Sequence, residues 1–132
     1  NVLKNLQALF QYSPHKLVEH GWYGHVDFLK VLATMDVCMQ VSLTESFNIV
    51  TADVVSVDRP IVVSKDIEWM PNFLKATPTS HDDIFKKLNF AFNYPKLVSI
   101  VQKLYLKWYN KKAEKVWLKE MKKEGIWKNI QI

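Results

Sequence analysis

Residues 35–64 read MDVCMQVSLTESFNIVTADVVSVDRPIVVS, in which two apolar runs of strand length flank a longer middle segment. The two runs, Val37–Val41 and Pro60–Val63, are nearly continuous in apolar residues, which is typical of strands in a parallel sheet covered on both faces. The middle segment, Ser46–Val57, favours a helix despite its β-branched residues, because a strand of that length would leave no crossover. This order predicts two parallel, neighbouring strands joined by a right-handed crossover.

The rest of the chain also alternates between predicted helices and predicted strands. The patterns predict a helix over 3–10, a short strand over Lys16–His20, a helix over 26–33, a short edge strand over 74–78, a helix capped by Ser80 and a last helix that opens at Pro95. Strands that alternate with helices of about ten residues indicate an α/β fold, with a parallel, Rossmann-like sheet of about four strands flanked by helices. The 132 residues suit a single domain, with a sheet-and-helix part over 1–94 and a basic helical tail over 95–132.

The composition is that of an ordinary globular chain, with 48% apolar and 23% charged residues. No apolar run approaches the roughly 18 residues that a membrane-spanning helix needs. The chain opens at Asn1 without a methionine or a signal-peptide layout, so we expect a piece of a longer reading frame. Cys38 is the single cysteine, which excludes an internal disulfide, and a cytoplasmic location is the expectation.

The residue types exclude several kinds of site. His20 and His25 are too few for zinc, which takes three or four protein ligands, and we expect neither a metal nor a cofactor. Cys38 lies in the middle of a predicted strand, and no glycine pattern of a nucleophile elbow surrounds any serine. With three glycines in total, the chain has no phosphate-binding P-loop and no glycine-rich dinucleotide motif.

The C-terminal part carries most of the positive charge. Residues 96–132 contain ten lysines and three acidic residues, a local net charge of +7 against +5 for the whole chain. A stripe of apolar residues runs along the predicted last helix: Leu97, Val101, Leu104 and Trp108. The stripe predicts that this helix docks on the sheet and leaves its lysines in water. The alternative is an adaptor whose tail binds a membrane surface or another polyanion, with nucleic acid less favoured because Trp108 belongs to the stripe.

We call residues 35–64 the central unit. Its segment Glu45–Val50 follows the first predicted strand and opens the predicted helix. Ligands of parallel α/β sheets collect at the carboxyl ends of strands, and a helix start offers unpaired amides and a positive dipole end that suit a diphosphate. Glu45 and Asp53 are eight residues apart, about 12 Å along a helix axis. Acidic groups so spaced suit hydroxyls on either side of a diphosphate, which is the layout of a nucleotide sugar.

The central unit also resembles a known family. The run ESFNIVTADVVSVDRPIVVS, residues 45–64, is similar to the signature of retaining GT-B glycosyltransferases of the group 1 family, E-x-F-G-x-x-x-x-E-A-x-A-x-G-x-P-V-x-x-S. Residues 35–42 are similar to the family's A-D-V-x-V-x-P-S strand, and His20–His25 lies where the family has a strand-ending F-L-G. The resemblance covers about residues 16–94.

The resemblance implies a donor-binding role for this half of the enzyme, with a nucleoside-diphosphate sugar as substrate and no cofactor. It implies that Glu45 contacts hydroxyls of the donor sugar and that Asp53 contacts the ribose. Backbone amides of Ser46, Phe47 and Asn48 would face the sugar and diphosphate. Trp22 and Tyr23 would lie near the nucleotide base. No residue of the chain is implied to be catalytic.

The sequence departs from the family pattern in four ways. Asp53 is one methylene shorter than the usual glutamate, Asn48 replaces a glycine, and Asp58–Arg59 replaces a small-glycine pair. The first strands with their glycine-rich loop and diphosphate-neutralising Arg and Lys are absent, as is the acceptor-binding domain. We therefore expect a fragment, truncated at its N-terminus, that is inactive alone. The alternative is a non-catalytic α/β module.

Overall fold

The computed structural model describes residues 1–125, so the last seven residues of the basic tail lie outside the described part. The elements in chain order are α1 (Val2–Gln11), α2 (His25–Ala33), β1 (Cys38–Gln40), α3 (Ile49–Ser56), β2 (Ile61–Ser64), a short 3-10 turn (Asn72–Leu74), β3 (Lys75–Ala76), α4 (His81–Asn93) and α5 (Pro95–Lys123). The fold is α/β: a small, open sheet flanked by helices, compatible with part of a Rossmann-like domain.

The three strands are all parallel and lie in the order β1-β2-β3. Cys38 lies opposite Ile61, and Val63 lies between Gln40 on one side and Lys75 on the other. Since α3 connects β1 to β2, the predicted parallel pair with a helical crossover is confirmed. The edge strand expected near residue 75 is confirmed as β3.

The central strand β2 forms the middle of the core, because it lies between the other two strands and α3 and α4 pack against it. All four of its residues are buried. The buried apolar side chains that pack with it come from α2, from α3, from the loop after β2 and from every later element: Leu32, Val54, Val55, Ile67, Trp69, Met70, Leu74, Ala76, Ala91 and Val98. A continuous apolar strand sequence is what such two-sided burial requires.

The strand predicted over Lys16–His20 is wrong. This segment has no strand partner among the described residues and runs over the surface, where only Leu17 is half-buried and Val18 is 55% exposed. A strand forms when its backbone groups pair with a neighbour, and apolar residues over so short a run do not supply one. The described sheet therefore has three strands rather than about four.

The turn from α3 into β2 depends on a residue in the left-handed conformation. Asp58 has a φ of 58° and follows the helix C-cap. Its N–H donates to the carbonyl of Val55 at 3.1 Å, and the Arg59 N–H donates to the carbonyl of Val54 at 3.3 Å. These two bonds form a Schellman motif, which ends α3 and turns the chain back towards the sheet.

The docking face predicted for the last helix is wrong. Leu97, Leu104 and Trp108 are 54%, 59% and 62% exposed, and Val98 and Gln102 are completely buried in their place. The buried face is rotated by about one residue, or about 100°, from the predicted stripe.

The buried face of α5 is chosen by hydrogen bonds to the turn after α3. The Ser99 hydroxyl donates to the carbonyl of Asp58 at 3.0 Å. The Gln102 amide donates to the carbonyl of Arg59, and its oxygen accepts from the N–H of Ile61 at 3.3 Å. Backbone groups buried at a strand entrance need such partners, so polar residues of α5 turn inward.

Candidate functional site

The loop between β1 and α3 holds most of the residues that the sequence singled out. Asn48 has a φ of 59° and a ψ of 91°, and its side-chain oxygen accepts from the Thr51 N–H at 2.9 Å and from the Thr51 hydroxyl at 3.0 Å. Asparagine tolerates positive φ better than other non-glycine residues and is a favoured N-cap. It therefore supplies both the bend and the helix start.

The helix consequently begins later than the sequence predicted. It starts at Ile49 rather than Ser46, so the amides of Ser46 and Phe47 belong to the loop and not to the first turn. The Asn48 side chain also occupies the Thr51 amide, which removes one donor from those available at the helix start.

The Glu45 carboxylate is fixed in this loop by donors from its own neighbourhood. The Ser42 hydroxyl donates to its Oε1 at 2.6 Å, and the Gln40 side-chain amide donates to the same oxygen at 3.5 Å. The hydrogen bond from Ser42, followed by one from the Asn48 side chain, lowers the pKa of Glu45 from its ordinary value of 4.5. Glu45 is therefore an oriented, ionised acceptor at neutral pH, and it is only half-buried.

An aromatic stack supports the loop from the core side. The ring of Phe47 lies between those of Trp69 and Tyr109, with centroid distances of 5.6 and 5.8 Å and interplanar angles of 30° and 26°. The Trp69 indole N–H also donates to the Phe47 carbonyl at 2.7 Å. The contacts fix the backbone between Glu45 and α3, and they bring α5 into the site through Tyr109.

Glu45, Ser46 and Phe47 line one cleft of about 350 Å³ at this end of the sheet. The cleft is completed by Asp66, Glu68, Trp69 and Tyr109. It thus presents three carboxylates beside aromatic side chains, and no lysine or arginine is among the residues that line it. Carboxylates accept hydrogen bonds from hydroxyls, and aromatic side chains cover apolar ligand faces, so a sugar suits this cleft. A diphosphate would be repelled in it unless cations from elsewhere neutralised the charge.

Trp22 and Tyr23 line a second, larger cleft of about 950 Å³. Three apolar residues of α2, which are Phe28, Val31 and Leu32, form part of its wall, and Val50 of α3 also contributes. Trp22 is fully exposed, whereas the Tyr23 hydroxyl is 3.0 Å from the Nδ1 of His20. The structure therefore brings the two residues expected near the base together, but in a different cleft from Glu45. The start of α3 separates the two clefts, with Phe47 in the first and Val50 in the second.

Asp53 already has a partner in the protein. Its Oδ1 is 3.1 Å from the Nε2 of His25, and the Asp53 side chain is 16% exposed against 66% for His25. His25 lines the second cleft, so Asp53 is connected to the Trp22 side of the site and not to the Glu45 side. A ribose hydroxyl at this point would bind beside His25 or compete with it.

Sequence reasoning missed several residues that complete the two clefts. Ser42 and His25 carried a weak signal, because each is a polar residue close to one already singled out. The loop after β2 contains Asp66, Glu68 and Trp69. Because β1 and β2 are parallel, the loops that follow them lie at the same edge of the sheet. Tyr109 gave no signal, since it reaches the site only through the observed rotation of α5.

The described residues hold no other constellation that suggests chemistry. Among residues 1–125, no group of three or more His, Cys, Asp or Glu side chains is placed to bind a metal ion. Burial raises the pKa of the Cys38 thiol, an effect that the nearby Arg59 opposes, so this cysteine is not an activated nucleophile. No helix in the described part of the chain is both long and apolar enough to cross a bilayer.

Comparison of the chain with protein-family models, with curated proteins and with solved structures gave no match in any of the three.

Proposed function

We propose that this chain is the donor-binding part of a retaining GT-B glycosyltransferase and holds the sugar end of a nucleoside-diphosphate sugar. Glu45 accepts hydrogen bonds from sugar hydroxyls in the smaller cleft, beside the backbone of Ser46 and Phe47. The base lies in the larger cleft near Trp22 and Tyr23. The diphosphate crosses the start of α3, and other parts of the enzyme supply its cations and the acceptor-binding domain.

The observation that carries this proposal is the oriented carboxylate of Glu45. It is held by Ser42, ionised, and placed at the carboxyl end of β1 in a cleft with aromatic walls. A carboxylate used only to cap a helix would bond to amides of the first turn, but Asn48 performs that role for α3. Glu45 is therefore not the cap of α3, and its carboxylate, which Ser42 orients through Oε1, has acceptor capacity for the hydroxyls of a ligand.

The backbone gives independent support for the family resemblance. Asn48 and Asp58 are the two non-glycine residues of the described chain with positive φ, at 59° and 58°. Counted from Glu45, they stand at the two glycine positions of the quoted signature. Glycine adopts positive φ most easily, and asparagine and aspartate are the other residues that tolerate it. Because the chain keeps positive φ at both positions, it preserves the loop geometry that glycine would provide.

The charge of the smaller cleft supports the expectation that the chain is inactive alone. Glycosyl transfer from a nucleotide sugar requires positioning of the donor and stabilisation of charge on the departing diphosphate. Glu45, Asp66 and Glu68 serve the first requirement and oppose the second, because each adds negative charge to the cleft. We therefore expect donor binding without turnover.

The proposal is tested by calorimetric titration of the chain with uridine- and guanosine-diphosphate sugars. Glu45→Gln should weaken donor binding by roughly tenfold to a hundredfold, since charge-assisted hydrogen bonds to the sugar are lost. Asp53→Asn should weaken it less, because His25 already occupies the Asp53 carboxylate. The matched control is Glu114→Gln, an exposed glutamate on α5, which should leave the affinity unchanged.

Two results would contradict the proposal. Donor binding that is the same in Glu45→Gln as in the parent chain would remove the assigned sugar site. Sugar transfer by the purified chain that Glu45→Ala abolishes would show that no further domain is needed. An absence of any donor binding by the parent chain would remove the proposed site from this chain alone and favour a fragment too incomplete to hold the donor.

A further inference from the structure

The side of α5 that faces away from the sheet carries a row of exposed apolar residues. Its members, which we call the outer stripe, are Leu97, Ile100, Leu104 and Trp108, with exposures of 54%, 61%, 59% and 62%. They recur at three- or four-residue intervals, so they lie in line on one side of the helix. Val98 and Gln102, which dock on the core, occupy the opposite side. Four large side chains in one continuous row are more than the scattered exposed residues of an ordinary surface.

Basic side chains border the outer stripe. α5 holds nine lysines and two glutamates, a net charge of +7, and no arginine. Lys96, Lys103 and Lys107 lie along one edge and, together with Arg59, line a groove of about 600 Å³. Ile100 and Leu104 form its apolar wall, and Asp58 is the one acidic residue among those that line it, so cations outnumber carboxylates there by four to one.

Lys103 and Lys112, which lie beside the outer stripe, contact other residues of the protein. The Lys103 ammonium is 2.7 Å from the Asp58 carboxylate, and the Lys112 ammonium lies 5.4 Å from the ring centroid of Trp108. Both pairs are at the surface, where an ion pair or a cation–π contact contributes about 1 kcal/mol or less.

We propose that the outer stripe docks on the surface of an anionic lipid bilayer. α5 would lie in the plane of the membrane, with the aliphatic side chains and Trp108 in the boundary between headgroups and acyl chains. The lysines along the edge would extend to the lipid phosphates, as long basic side chains do beside an apolar surface. The groove between Arg59 and Lys107 would receive a headgroup phosphate, because it combines cations with an apolar wall.

The chemistry of the stripe favours lipid over nucleic acid. Nucleic-acid surfaces are read by arginine, by aromatic stacking and by phosphate contacts. Three of the four stripe residues are aliphatic, which nucleic acid does not bury but the acyl boundary of a bilayer does. Positive charge and aliphatic residues on one side of a helix together match a surface that is anionic and apolar.

Flotation of the full chain with lipid vesicles tests the proposal. Vesicles of phosphatidylcholine alone are compared with vesicles that contain about 30 mol % phosphatidylserine, at about 0.1 M salt and at a concentration several times higher. The chain should partition into the anionic vesicles at least about tenfold more than into the neutral ones, and raised salt should weaken the binding.

Two double variants separate the contributions of charge and apolar contact. Lys96→Gln/Lys107→Gln should weaken binding by about twentyfold or more, at roughly fivefold per lysine. Ile100→Gln/Leu104→Gln should weaken it by about tenfold, with an unchanged circular dichroism spectrum because both residues are exposed. The matched controls are Lys4→Gln/Lys86→Gln and Leu9→Gln/Phe85→Gln, which change exposed residues of α1 and α4 and should bind like the parent.

Three outcomes would overturn the proposal. Equal partition into neutral and anionic vesicles would remove the role of charge. Vesicle binding by Ile100→Gln/Leu104→Gln that equals the binding of the parent would show that the outer stripe does not insert into the bilayer. That result is expected if the lysines bind any polyanion, including nucleic acid. Sedimentation of the free chain as a dimer that this variant dissociates would identify the stripe as a contact between two copies.

Discussion

The unit from β1 to β2 and the helix α5 place their apolar residues in opposite ways. In the first, the strand β2 is wholly buried and α3 buries Val54 and Val55. In α5, the completely buried positions include the polar Gln102, whereas Leu97, Leu104 and Trp108 remain in contact with solvent. Apolar content therefore predicts burial on β2 and fails on the long helix. Within the unit from β1 to β2 it also fails at Met39 and Ile49, which are 55% and 71% exposed.

The difference follows from the backbone hydrogen bonds that must be formed around each element. A strand between two others has its backbone groups paired in the sheet, so its side chains are free to be apolar on both faces. The first turns of α5 pack instead against the chain reversal after α3, whose carbonyl and amide groups lack sheet partners. Ser99 and Gln102 bond to those groups, and this requirement sets the rotation of the helix.

The strongest test of this explanation is to remove the polar contact while keeping the volume. Gln102→Leu should lower the free energy of unfolding by about 3 kcal/mol, because the Arg59 carbonyl and the Ile61 N–H lose their buried partner. Urea unfolding followed by circular dichroism measures the loss. The control Asn110→Ala, at an exposed polar position of the same helix, should change stability by less than about 0.5 kcal/mol. A stable Gln102→Leu would mean that apolar packing alone orients α5.

Two adjacent residues on α5 give a second test of its orientation. Val98→Ala should cost about 2 kcal/mol, since the side chain is completely buried, whereas Leu97→Ala should cost less than about 0.5 kcal/mol. The same unfolding experiment compares the pair. The reverse order, with Leu97→Ala the more damaging, would restore the docking face that the apolar stripe predicts.

The bend before α3 depends on the positive φ of Asn48. Two substitutions at this position test that dependence. Asn48→Ala should destabilise the protein by about 1.5 kcal/mol, because it loses the cap on Thr51 and places a Cβ at positive φ without compensation. Asn48→Gly should cost only a few tenths of a kcal/mol, since glycine accepts this conformation. Thermal unfolding of both proteins distinguishes them. Equal losses would mean that the side-chain cap matters and the backbone conformation does not.

The smallest expected effect concerns the pH dependence of stability through Glu45. A pKa lowered by folding means that the ionised carboxylate stabilises the folded state above its ordinary pKa of 4.5, and that this contribution disappears as the pH falls through the lower folded value. The melting temperature of the parent should therefore exceed that of Glu45→Gln by a constant margin from neutral pH to about pH 5, and the margin should shrink in more acidic buffer. A margin that grows on acidification would contradict the assigned hydrogen bonds from Ser42.

The sequence predicted which residues of the candidate site lie together only where those residues are consecutive in the chain. The placement of Glu45, Ser46 and Phe47 in one cleft follows from their position after a buried strand, since loops there meet at one edge of the sheet. Asp66 and Glu68 follow the next strand and share that edge for the same reason. The pairing of Asp53 with His25 was not accessible, because it depends on how α2 lies against α3.

The sequence by itself determined the α/β class, the parallel pair of β1 and β2 and the helix between them. Continuous apolar runs of strand length separated by a helix-length segment admit few other arrangements. It also placed a turn at Asp58, whose residue type tolerates positive φ, but it assigned Asn48 to the helix rather than to the bend before it. The tertiary structure decided that Lys16–His20 lies outside the sheet and which side of α5 is buried. Strand pairing and helix rotation depend on partners distant in the chain. The buried backbone groups after α3 bind Ser99 and Gln102, which lie off the apolar stripe that the sequence predicted to dock.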